Sequence, residues 1–389
     1  MNSNSFAEFW SHHFSKLRLK ELDSRYLTSD ELTAVIHKYG LNSLKTEVGR
    51  SFEGRSIDML SLGNGRKNIL AWSCMHGNET TSLRGWMDLF VVIKQVETGD
   101  YFNEILQDYT IHFIPMLNPD GAKRYTRRNA MGLDMNRDAR ALQTPEMQAL
   151  VSQVEELSPV LAFNLHDQRN IFAVNNQPAT ISFLAPSVDA ERSVTDLRAQ
   201  TMHLVGKAAT CLQPFLKGGI GRYSDEYYPT AIGEFIQQRG IPTVLIECGS
   251  AIEDPLRQEA RKANAIILYA MISEFSKTQE PEIQAYNNIP LNQTNQVDIL
   301  IKGIEISVNN SIFKADLALL AEEVLIDGEY SFSYKINDFG DLQFLIALDT
   351  HQWLNTKSFE NIKIGALADF EFETDKGQIA FYAGRLYKK

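Results

Sequence analysis

Apolar positions change their spacing twice along the 389-residue chain. In the N-terminal segment, Phe6, Phe9, Trp10, Phe14 and Leu17 recur near helical spacing. That predicts an amphipathic helix at the start of a region, residues 1–50, that reads as helical and polar. At 69–75 the run Ile69-Leu70-Ala71-Trp72-Ser73-Cys74-Met75 is continuously apolar, the pattern of a strand buried on both faces. It leads directly into His76-Gly77-Asn78-Glu79, after which Leu83, Trp86, Leu89, Phe90 and Ile93 restore a helical period. Tyr109–Leu117 is a second buried-strand candidate, stopped by the turn signal Asn118-Pro119-Asp120-Gly121. Thr144-Pro145-Glu146 has the order of an N-cap, a first-turn proline and a first-turn acid. Pro159–Leu165, Ala179–Ala185 and Pro242–Ile246 read as further strands, and 189–213 and 255–276 as helices.

Strands alternating with helices predict an α/β fold, a mixed, mostly parallel sheet flanked by helices, over residues 1–280. Residues 278–297 are polar, carry two prolines and read as a linker. Beyond them, short alternating segments (Asp298–Val308, Ile312–Leu319, Glu329–Ile336, Leu342–Leu348, Phe370–Glu373, Ile379–Tyr382) predict a small β-rich domain over 290–389. That domain has no residue set assignable to catalysis. One role for it is to narrow a cleft and restrict substrates to small peptides; the plainer one is packing or dimerisation.

Composition narrows the partners. The formal charge of −11 argues against nucleic acid, whose phosphates need a basic surface. No apolar run reaches the roughly 18–20 residues of a membrane span. The N-terminus lacks the apolar core of a secretory signal. Three cysteines, Cys74, Cys211 and Cys248, fit a reducing, cytoplasmic compartment. The oligomeric state is left open. One stretch is basic against this background: Lys123, Arg124, Arg127, Arg128, Arg137 and Arg140. It suggests an anionic ligand, with a solvated loop as the plainer alternative.

Chemistry concentrates at the ends of the candidate strands, where open α/β sheets place their sites. His76 and Glu79, three residues apart across a turn, can converge on one cation; alone, such a pair is more often a surface contact. His166 ends an apolar strand, where the plainer reading is a core histidine bonded to Asp167. Glu247 ends another, and so apolar a run has little reason to finish on a carboxylate unless the charge is paired or useful. Two histidines and two glutamates so placed supply three metal ligands and a base. The arginines of 127–137 suit carboxylate recognition and oxyanion stabilisation.

In the order His76-Gly-Asn-Glu79, Asn118-Pro-Asp-Gly121, Arg127-x-Asn-x-x-Gly-x-Asp-x-Asn-Arg137, His166 and Ile246-Glu-x-Gly249, the chain resembles the M14 zinc carboxypeptidases over roughly residues 45–275. The resemblance implies Zn²⁺ held by His76, Glu79 and His166, the His₂Glu set of carboxypeptidase A. It implies Glu247 as general base and acid, and Arg127, with Arg128 as the alternative, as the carbonyl-polarising arginine. Asn136 and Arg137 match the pair that grips a free C-terminal carboxylate of a small peptide. Tyr228 matches a substrate-capping tyrosine, with Tyr223 and Tyr227 competing. Asn78 stands where the animal digestive members have arginine, and His166 is followed by Asp167-Gln168. These departures look more like the bacterial intracellular branches, related to murein-peptide amidases. The rival reading is an N-acyl amino acid deacylase of the succinylglutamate desuccinylase/aspartoacylase type, which shares His-Gly-Asn-Glu. A thiol hydrolase using Cys74 or Cys248 and a non-enzymatic binding module that kept the fold are further alternatives, the second opposed by the intact set of ligands, base and arginines. The specificity pocket is unassigned, with Asp167, Arg222, Asp225 and Glu234 as polar candidates.

Overall fold

A computed structural model describes residues 3–95, 99–277, 280–309, 311–354, 359–360 and 362–388. One nine-stranded sheet organises residues 45–248. Its strands are β1 (Lys45–Arg50), β2 (Ser56–Leu62), β3 (Lys67–Trp72), β4 (Tyr109–Ile114), β5 (Leu161–Asp167), β6 (Ala173–Val174), β7 (Gln177–Leu184), β8 (Gly219–Arg222) and β9 (Thr243–Cys248). The order is β1-β2-β4-β3-β5-β9-β7-β6, with β8 on β7. The four central strands β4, β3, β5 and β9 run parallel, and antiparallel pairs close both sides.

The central strands are apolar throughout because they have no wet face. On β3, Ile69 and Ala71 enter one core while Leu70 and Trp72 enter the other. The first core is covered by α1 (Ser3–Leu17), α3 (Thr81–Lys94), α7 (Asp196–Leu212) and α9 (Gln258–Phe275), with α2 (Ser29–Lys38) and α4 (Gly99–Asp108) at its margins. The second is covered by α6 (Pro145–Leu157) and α8 (Ile232–Gln238); the short α5 (Pro119–Arg124) lies near the strand ends. The amphipathic reading of the N-terminus holds. Phe6, Trp10 and Phe14 are buried, Phe6 stacks on Tyr269 at 4.4 Å, and Trp10 Nε1 donates to the Lys262 carbonyl at 3.0 Å.

The structure differs from the pattern at two places. Residues 45–50, placed within a helical N-terminal region, form edge strand β1; its alternation is faint because half of it faces solvent. Residues 284–293 are pinned rather than loose. Gln284–Asn287 form α10, Tyr286 is buried with its hydroxyl accepting from Ala185 N, and Leu291 and Gln293 bridge to Arg222 and Ala173.

From Gln296 the chain is β-structure. One sheet contains β10 (Gln296–Val308), β11 (Ser311–Ile326), β12 (Glu329–Gly340), β13 (Ile346–Gln352) and β14 (Phe359–Glu360). A second contains β15 (Phe370–Thr374), β16 (Gly377–Tyr382) and β17 (Arg385–Lys388). Ile299, Ile301, Leu317, Leu319, Phe372 and Phe381 form their shared core. Leu342, expected to open a strand, lies in the bend before β13.

Candidate metal centre

The site lies at the C-terminal ends of the parallel strands. On β5 the odd residues 161, 163 and 165 belong to the first core, so His166 projects on the opposite face with Ala162. On β9, Val244 and Ile246 belong to the first core, which puts Glu247 on that same opposite face. The β5–β9 register sets His166 directly beside Glu247. His76 and Glu79 arrive from the loop between β3 and α3. There Cys74 takes a left-handed backbone (φ 49°), and Asn118 donates to the Met75 carbonyl at 3.1 Å while capping Gly121 N at 2.9 Å. Gly77 passes so close to the α5 backbone that a Cβ would lie 2.0 Å from the Gly121 carbonyl carbon, so no side chain fits there.

His76, Glu79 and His166 converge. His76 Nδ1 lies 2.8 Å from one Glu79 oxygen, His166 Nδ1 2.9 Å from the other, and the two nitrogens are 3.2 Å apart. All three residues are buried and their donor atoms fall within 4.8 Å of one another. Tetrahedral zinc with bonds of about 2.0–2.1 Å spaces its ligands about 3.3 Å apart, so this set fits zinc in both donor type and spacing.

Charges around the cluster support that fit. Burial opposes ionisation of Glu79, yet His76 and His166 hold its carboxyl well below the usual range. Burial lowers the His166 pKa against the pull of Glu79, whereas at His76 burial is outweighed by Glu79 and Asp134, which raise it. Asp134, which sequence reasoning left unassigned, accepts from His76 Nε2 at 3.0 Å and holds that ring's orientation. The other Asp134 oxygen accepts from Arg127 Nη2 at 3.0 Å. Its position inside the Arg127–Arg137 string was the available signal.

Glu247 has no such company. Its Oε2 is buried without a hydrogen-bond partner among the described residues, and burial, then the charges of Glu79 and Asp167, push its carboxyl well above the usual range. Arg127 reaches the cluster, 3.2 Å from Glu79 Oε1, whereas Arg128 turns back to the Gly132 carbonyl. Arg127, Asn136, Arg137 and Glu247 line one cavity of about 1010 Å³ together with the three clustered residues. Tyr223 lines it too, donating to Gln168 Oε1 at 2.9 Å. Tyr228 instead lies 44% exposed beneath the Arg137 guanidinium, 5.1 Å from ring centre to Cζ. Tyr227 is tied to Gln238 at 2.6 Å. The far wall comes from the β-rich region, through Leu320, Glu322, Lys335, Asn337 and Ile364.

Comparison with known proteins agrees with the geometry. Residues 31–154 match the family model for zinc carboxypeptidase, peptidase M14. An uncharacterized protein of Zymomonas mobilis is 27% identical over 128 residues, 32% of this chain and 33% of that protein, so the match spans about a third of that relative. The fold is similar to that of a metallo-carboxypeptidase from Burkholderia cenocepacia (TM-score 0.51, 16% identity, 65% of this chain and 70% of that one). It is also similar to a metallo-carboxypeptidase from Pseudomonas aeruginosa in complex with (2-guanidinoethylmercapto)succinic acid (TM-score 0.51, 15% identity, 65% and 71%). The fold is similar to that of metallo-carboxypeptidases, and the clustered donors form a candidate metal site within it. The segment that resembles the M14 zinc carboxypeptidase model holds His76 and Glu79, while His166 and Glu247 lie beyond its end. Among the described residues, no helix is long and apolar enough to cross a membrane.

Proposed function

We propose that the protein is a zinc metallocarboxypeptidase that hydrolyses the C-terminal peptide bond of a small peptide in the cytoplasm. The observation that carries this reading is the buried, unpartnered Glu247 carboxyl beside the His76–Glu79–His166 cluster, in one cavity with Arg127 and Arg137. His76, Glu79 and His166 would hold Zn²⁺, which when bound supplies Lewis acidity and lowers the pKa of water towards about 7. Glu247, its proton affinity raised by burial, takes the proton of the attacking water and returns it to the leaving amine. Arg127 donates to the carbonyl oxygen as negative charge develops on it. Asn136 and Arg137 orient the substrate through its terminal carboxylate. Tyr228, stacked on Arg137, is placed to cover that end, and Tyr223 competes for the role from inside the cavity.

The cavity volume is at the upper end for small-molecule sites, and the β-rich wall supports a substrate of a few residues. The three free, buried cysteines fit a reducing compartment. A thiol mechanism has no support in this geometry. Burial pushes the Cys74 thiol well up and the Cys248 thiol up to about 12.

The test is product analysis by mass spectrometry on zinc-loaded protein. Substrates are short peptides with free or amidated C-termini, cell-wall peptides and N-acyl amino acids, with Glu247→Gln as control. Release of one residue from free-carboxylate peptides alone is expected. Turnover confined to N-acyl amino acids would replace the peptidase reading with a deacylase.

A further inference from the structure

Behind the cluster lies a second set of charges, and one of them comes from the β-rich region. Asp167 directly follows His166. Its backbone N–H donates to Glu79 Oε2 at 3.2 Å, and its Oδ2 accepts from Thr81 Oγ1 at 2.6 Å and Thr81 N at 3.2 Å. Asp167 therefore clamps the Glu79 loop to the end of β5. Two guanidiniums stand behind it: Arg25, 3.5 Å from Oδ2, and Arg257, 3.8 Å from the same oxygen. Their side chains are 2% and 3% exposed, so neither charge is relieved by water.

The balancing anion is Glu323 on β11. It forms an ion pair with Arg25, lies 3.7 Å from Arg257 Nη2, and accepts from Tyr125 Oη at 2.5 Å. Two cations and two anions make a neutral quartet. Glu323 takes the close contact with Arg25, which leaves Asp167 Oδ2 to Thr81. Asp167 Oδ1 is buried with no hydrogen-bond partner among the described residues, an open acceptor that a displaced arginine could reach. Without the Glu323 charge, Asp167 is the one carboxylate within 4 Å of either guanidinium among the described residues, with buried Asp298 farther off. The two cations would be drawn onto Asp167, in competition with Thr81, and would leave net positive charge next to a cation site.

We propose that Glu323 is a positioning residue for the metal centre: the β-rich region supplies the charge that keeps Asp167, and through it Glu79 and His166, in ligating position. The proposal rests on the zinc reading above.

The experiment measures zinc affinity of the full-length apoprotein by competition with a chromophoric chelator, with thermal unfolding recorded in parallel. Glu323→Gln keeps the shape and the Tyr125 contact while removing the charge. Its zinc affinity is expected to fall 10–100-fold, the range for residues that hold ligands in place. Adding Arg25→Met restores neutrality and is expected to bring affinity back to within about threefold of wild type while the melting temperature stays low, a recovery that a merely adhesive role would not produce. If Glu323→Gln does not fold, Arg25→Met alone serves: affinity at least equal to wild type is expected, and a tenfold loss overturns the assignment. Unchanged affinity in Glu323→Gln, or no recovery in the double variant, also overturns it. Wild-type protein that fails to compete for zinc overturns the zinc reading and this proposal together, whereas failure in the variants alone leaves the zinc reading standing.

Discussion

Two buried carboxylates of the α/β region, Asp88 and Glu247, both have their proton affinity raised by burial but differ in their partners. Asp88 on α3 meets Arg261 on α9 through two bonds of 2.7 Å and also accepts from Leu19 N at 2.8 Å. Arg261 in turn donates to the Leu19 and Leu22 carbonyls and to Asp23. This pair ties α3 and α9 to the segment that follows α1. Glu247, two strands from the sheet's far side, has a buried oxygen with no partner and a proton affinity raised by burial and like charge. Satisfied charge is what a fold uses to fix helices. A carboxyl left unsatisfied beside a cavity is costly, and such a cost marks a candidate for proton transfer.

The comparison can be broken most directly at Glu247. Glu247→Gln should lower kcat about 10²–10⁴-fold while zinc content and melting temperature hold or rise, read by steady-state kinetics alongside metal analysis. A variant that keeps wild-type turnover removes Glu247 from the chemistry. The mirror experiment is Arg261→Met. It strands the Asp88 charge and should cost about 3–5 kcal/mol in denaturant unfolding, with kcat per folded molecule unchanged.

A third carboxyl sharpens the rule, because it is buried yet outside the cavity lining. Burial pushes Glu234 on α8 up to about 7 from 4.5. The folded protein therefore binds an extra proton between pH 4.5 and 7, and stability falls as pH rises through that window. The full cost, about 3 kcal/mol, is reached above pH 7. Glu234→Gln should remove most of that slope in unfolding curves taken from pH 4.5 to 8; an unaltered slope would assign it elsewhere. The smallest effect is expected at Asp134, whose carboxylate is fully occupied by His76 and Arg127. Asp134→Asn should weaken zinc binding about 10–100-fold and lower the stability of the metal-free protein at neutral pH, since His76 and Arg127 lose their charged partner, by chelator competition and calorimetry.

Much of this was legible in the chain. Continuous apolar runs marked β3, β5 and β9 because strands covered on both faces have no alternation to show, and polar residues at their ends stand out for that reason. His76, Glu79, His166 and Glu247 were visible as such interruptions. Arg127 and Arg128 could not be separated by sequence, since neighbouring side chains diverge according to a loop path that only packing decides. Asp134 was hidden because an aspartate among arginines looks like local pairing. The contribution of Glu323 was out of reach. It lies 156 residues beyond Asp167 in a strand whose apolar alternation says nothing about what its far end covers. Edge strand β1 was lost for a related reason: half its residues face water, so little period remains.

The register that places His166 beside Glu247 also sets a timetable. The two residues are 81 positions apart, and the loop carrying His76 and Glu79 joins from a third distant segment. Parallel pairing over such separations is slow to form, while α7 and α9 can gain their local hydrogen bonds early. During refolding, zinc uptake should trail the helical circular-dichroism signal, which makes the metal a reporter of the last long-range strand pairing and not of collapse.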